Sequence, residues 1–73
     1  MEIETNADVA GAVRGAAAQR RITQQELAAA LNLSEMAMSR RMNGLTPFSP
    51  AELIRASRHC GVGVASFFGE VAA

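Results

Sequence analysis

The sequence predicts an all-α fold, a compact bundle of five short helices, and three observations predict it. Alanine fills 15 of the 73 positions, Trp and Tyr are absent, and only three Phe occur. Alanine is the strongest helix former, whereas strands favour branched and aromatic side chains. Helix-starting residues recur along the chain at Thr5, Thr23, Ser34 and Ser49. Helix-stopping residues answer them at Asn32, Gly44 and Gly61.

Each element follows from this punctuation. Thr5, with Asp8 three places on, caps a first helix that carries Val9, Val13 and Ala16 or Ala17 at helical spacing. Gly15 weakens it by about 1 kcal/mol relative to Ala, and the pattern fades near Arg20-Arg21. Thr23-Gln24-Gln25-Glu26 is a capping box for a second helix, with Leu27, Ala28 and Leu31 facing inward. Asn32 ends it, because asparagine tolerates the left-handed conformation. Ser34 caps a third helix in which Met38 and Met42 form an i, i+4 pair, and Asn43-Gly44 closes it. Residues 45–48 read as a loop. Ser49-Pro50-Ala51-Glu52 opens a fourth helix with an N-cap Ser, an N1 Pro and an N3 Glu. Leu53, Ala56 and Cys60 run along its inner face to Gly61. Val64 to Phe68 reads as a final turn or two closed by Gly69, followed by a frayed tail at residues 70–73.

The length allows one domain, residues 1–73, with a core worth about 3–5 kcal/mol. No apolar run approaches the ~20 residues of a membrane span, and the acidic Met1–Glu4 start is not a signal peptide. One cysteine cannot form an internal disulfide, and one histidine with one cysteine cannot close a zinc site. These features predict a reduced, cytoplasmic protein with no metal, cofactor or small-molecule ligand. Seven arginines and no lysines balance seven acids. Zero net charge argues against polyanion binding by bulk charge, so the placement of the charges matters. All arginines fall between Arg14 and Arg58, while three of the acids lie in the first eight residues.

Two short helices at about 24–31 and 35–43, joined by a three-residue turn, have the spacing of a helix-turn-helix. Steeply crossed helices need a small residue where they touch, and Ala28 supplies it. The run Thr23 to Ser34, with Ser39-Arg40 and Asn43-Gly44, resembles repressor and Cro proteins of the lambda and 434 type. It also resembles the wider xenobiotic-response-element class of bacterial regulators. Val13-Arg14, Glu52-Leu53-Ile54, Gly61-Val62 and Phe67-Phe68-Gly69 extend the resemblance over residues 7 to 69. It implies a lambda-repressor-like DNA-binding domain whose third helix enters the major groove of a double-stranded operator. Three positions depart from the family pattern. Asn32 replaces the usual turn Gly. Ala17 and Met42 replace a paired Arg and Glu, and an apolar pair can stand in for a buried ion pair. Arg41 occupies a position where relatives often bury an aliphatic residue, so either its stem packs with the head in water or the third helix is rotated.

The candidate DNA-contacting residues are Gln24, Ser34, Glu35, Met36, Ser39, Arg40, Arg41 and Asn43. Arg40, opposite Met38, suits a bidentate contact to guanine O6 and N7. Glu35 suits cytosine N4 or, alternatively, the positive end of its own helix, and Met36 suits a thymine methyl. Gln24 resembles the family's phosphate- or base-contacting glutamine. Ser34, Ser39 and Asn43 read as phosphate ligands or as caps. Arg14, Arg20 and Arg21 read as solvated or as flanking the DNA backbone. His59 reads as exposed and Cys60 as a small core residue, so no catalytic site is expected. The loop Leu45-Thr46-Pro47-Phe48 carries no basic residue, and Phe48 reads as core.

This points to a small Cro-like transcriptional repressor of phage or bacterial type, acting as a homodimer. The expected dimer surface is the C-terminal region, with Phe67 and Val71 at the interface and Phe68 inside. The rival reading is a protein-interaction module of the same fold, of the antitoxin or anti-repressor kind, using Met36, Phe67 and Val71.

Overall fold

The structure, a computed structural model, describes residues 5–68. It consists of α1 (Asn6–Gln19), α2 (Gln24–Leu31), α3 (Glu35–Met42), α4 (Pro50–Cys60) and a 3-10 helix (Val64–Phe68). There is no strand among the described residues. The expected fifth helix is thus a single 3-10 segment. It spans five residues, and the i→i+3 repeat is typically used in such short pieces. The proposed stop at Gly69, the tail and Val71 lie outside the described residues.

All four α-helices start on a hydroxyl. Thr5, Thr23, Ser34 and Ser49 accept from the backbone N–H of Asp8, Glu26, Ala37 and Glu52. Full capping boxes form at Thr5–Asp8 and Ser49–Glu52. At Thr23 only the hydroxyl half forms among the described residues.

The helix ends are also alike. Each closes on a left-handed residue: Arg21, Asn32, Gly44 and Gly61, with φ of 56°, 58°, 76° and 70°. The next N–H reaches back five residues in every case. Ile22 donates to Ala17 at 2.9 Å, Leu33 to Ala28 at 2.9 Å, Leu45 to Arg40 at 2.9 Å and Val62 to Ser57 at 2.9 Å. These are four Schellman motifs, and they stop each helix within a residue. Three were predicted from Asn and Gly; Arg21 was not.

The core consists of Val13 and Ala17 from α1, Leu27, Ala28 and Leu31 from α2, Met38 and Met42 from α3, Leu53, Ala56 and Cys60 from α4, and Phe67. Ala28 is 2% exposed, as a helix crossing requires. Ala17 and Met42 are both buried, so this pair is apolar where relatives place charges. The order of the two phenylalanines is the reverse of the expected one. Phe67 is fully buried and Phe68 is 49% exposed. Neighbours on a 3-10 helix point about a third of a turn apart, so only one can enter the gap between α1 and α4. The turn at Gly61 sets the phase that selects Phe67.

Candidate nucleic-acid interface

Helix α3 is positioned by contacts on three sides. Its inner face, Met38 and Met42, enters the core between α1 and α2. Its C-terminal end is held by α1, where the Arg14 guanidinium donates to the Met42 carbonyl. A cation at a helix C-terminus is also favoured by the aligned peptide dipoles. The loop residue Gly44 presses on Ala7: a Cβ at Gly44 would lie 2.8 Å from the Ala7 Cα. On the third side Arg41 Nε donates to Glu52 Oε1 at 2.8 Å, and Arg41 NH1 donates to the Ala37 carbonyl at 3.3 Å. The same Glu52 oxygen accepts from the Ser49 N–H at 2.9 Å. One carboxylate therefore caps α4 and ties it to α3.

Arg41, expected among the DNA-facing residues, turns toward α4 in this geometry. Its side chain is 19% exposed and its guanidinium is engaged by Glu52. Its position on α3 turns it toward α4, where the N3 carboxylate of the capping box stands ready. Arg14 likewise is not merely solvated, since its head docks on α3.

The other candidates share the outer side of α3 and its approaches. Glu35, Met36, Arg40 and Asn43 are exposed, and Ser39 is partly exposed. Gln24 is exposed in the first turn of α2, and Ser34 is exposed as the N-cap of α3. Asn43 Nδ2 donates to the Ser39 carbonyl at 2.9 Å and lies 3.4 Å from its Oγ, so these two are mutually engaged. Among the described residues nothing hydrogen-bonds or ion-pairs with the Arg40 guanidinium. The loop beyond α3 exposes Leu45 at 76% and presents no cation.

His59 and Cys60 point in different directions, as adjacent helical residues must. His59 is exposed, and Cys60 is fully buried. Burial pushes the Cys60 thiol above its ordinary range, with Arg20 pulling weakly the other way. A neutral core thiol results. Among the described residues no cluster of His, Cys, Asp or Glu is arranged to hold a metal. Among the described residues no helix is long and apolar enough to cross a membrane.

The sequence that forms α2 and α3 matches a family model. The model for the helix-turn-helix covers residues 14–67. The chain belongs to the helix-turn-helix family of the lambda repressor and Cro type. Members of this family are DNA-binding regulators rather than enzymes, so this helix-turn-helix chain is a DNA-binding regulator. No curated protein and no solved structure matches it significantly.

A second surface of this helix-turn-helix protein escaped the sequence reading. Phe48, Pro50, Leu53, Ile54, Val64 and Phe68 line an open groove of about 380 Å³ between α4 and the 3-10 helix. Ile54 and Val64 are 43% and 36% exposed. The signal was present in Leu53-Ile54: two adjacent apolar residues on one helix cannot both face the core. Phe48, expected in the core, is partly buried and also lines this groove. Phe67, expected at an interface, is fully buried and offers nothing to a partner.

Proposed function

We propose that the protein is a small Cro-like repressor that reads an operator sequence in the major groove as a two-fold homodimer. The supporting observation is the outward face of α3, where Arg40 stands exposed and unpaired among the described residues, flanked by Glu35, Met36, Ser39 and Asn43. In this reading Arg40 takes guanine O6 and N7, and Glu35 takes cytosine N4 or stays on the helix terminus. Gln24 and Ser34 sit at the N-termini of α2 and α3, where backbone N–H groups and the dipole favour phosphate. Ser39 and Asn43 complete the phosphate-side contacts. Arg41 has no part in it, because Glu52 holds it.

The apolar groove is the natural seat of the second protomer. Phe68 takes the interface role first given to Phe67, with Ile54 and Val64 beside it. One protomer with few cations makes few phosphate contacts, each adding a salt slope of about 0.9. Two protomers double that number and read half-sites about 34 Å apart.

The rival protein-interaction module draws support from the same groove, which would then hold a different protein. Selection of duplexes from a random library, followed by gel shifts across salt concentrations, tests the proposal. A pseudo-palindromic consensus with affinity falling steeply in salt is expected. Recovery of no consensus, with weak binding independent of sequence, would favour the rival.

A further inference from the structure

Met36 is 69% exposed, and it stands in the first turn of α3. It is the single large apolar residue on a face otherwise made of Glu35, Arg40 and Asn43. The groove between α4 and the 3-10 helix does not include it. Met36 is thus not part of the apolar surface suited to a protein partner. Neither does the core use it, since Met38 and Met42 supply the buried methionines of α3. Its position is fixed, because Ser34 caps the helix two residues earlier through a 3.1 Å bond from the Ala37 N–H.

Met36 and Arg40 are four residues apart and so share one stripe of the helix surface. The edges of base pairs in the major groove offer donors, acceptors and a single apolar group, the C5-methyl of thymine. A flexible thioether chain on a groove-facing helix has that one complementary target. We propose that Met36 is a specificity-determining residue that selects thymine by covering its C5-methyl, next to the guanine taken by Arg40. Four residues of helix rise about 6 Å, and base pairs stack about 3.4 Å apart. The thymine therefore lies one or two base pairs from the guanine.

This inference rests on the DNA-binding reading, and its test separates the two. Operators are first selected with the full chain, and each thymine of both half-sites is then replaced by deoxyuridine, which lacks only the methyl. At one thymine per half-site the wild type is expected to lose about fourfold in affinity, or about fifteenfold for the two half-sites together, the effect of exposing one methyl group each. Met36→Ala, which keeps a strong helix former at an exposed site, is expected to bind the thymine and deoxyuridine operators equally. The inference is overturned if deoxyuridine changes wild-type affinity less than twofold at every position. It is also overturned if Met36→Ala keeps the wild-type sensitivity, or if the sensitive thymine lies more than three base pairs from the guanine that Arg40 specifies. A half-site without thymine overturns it as well. Failure to select any operator overturns the DNA-binding reading itself, and this inference with it.

Discussion

The outer face of α3 and the groove beside α4 expose opposite chemistries. The first presents a carboxylate, an arginine, an amide and one methionine on a helix held by α1, α2 and α4. The second presents Ile54, Val64 and Phe68 around a shallow apolar hollow. A domain of this size leaves part of its apolar surface outside. The difference between the faces lies in where that surface collects. Grouped in a hollow, it suits another protein surface; isolated on a polar helix, it suits one methyl group among hydrogen-bonding base edges. What stabilises the fold should then be separable from what each face does.

The neighbouring phenylalanines give the largest contrast. Phe67→Ala should cost about 3–5 kcal/mol, close to the whole stability of so small a core. Phe68→Ser should keep the melting transition while weakening self-association, read by sedimentation. Equal unfolding by both would erase the distinction between core and groove.

Two glycines with similar backbones differ in what surrounds them. Gly44 and Gly61 are both left-handed, yet Gly44 faces the Ala7 backbone while Gly61 faces the flexible head of Arg20. Ala at Gly61 should cost about 1–2 kcal/mol, the left-handed penalty alone. At Gly44 overpacking adds to it, for a total of about 3 kcal/mol in urea denaturation. Similar losses would mean that α1 gives way and does not brace the α3 end.

Arg41 separates support from recognition. Arg41→Met should lower stability by about 2 kcal/mol, between the values for exposed and buried pairs. The salt dependence of DNA binding should be unchanged. A shallower salt slope would return Arg41 to the DNA face. The smallest expected change is a gain: Arg21→Gly relieves a left-handed arginine and should raise stability by about 0.5–1 kcal/mol in thermal melts.

Much of this architecture was legible in the sequence, because caps and stops are local. Thr5, Thr23, Ser34 and Ser49 announce helix starts through their own hydroxyls, and Asn32, Gly44 and Gly61 announce stops through backbone tolerance. Arg21 carries no such mark; its conformation is imposed by the closing bonds of α1. The exposed set on α3 followed from helical periodicity around Met38 and Met42. Arg41 did not, because its partner Glu52 lies across a loop whose path no local rule fixes. For the phenylalanines the missing fact was the phase of the last segment, which depends on how the chain leaves the Gly61 turn and not on a local pattern. The groove was half legible in Leu53-Ile54 and needed the fold to bring Val64 and Phe68 alongside.

The proposed role of Arg40 is to read bases from the exposed face of α3. Affinities of the wild type and Arg40→Ala for a selected operator and for random duplex DNA, at one salt concentration, test it most directly. Base reading requires a loss of about 1–3 kcal/mol per half-site on the operator, a much smaller loss on random DNA, and relaxed preference at one base pair. Equal losses on both duplexes would contradict it, because an arginine that touches only phosphate carries no sequence information.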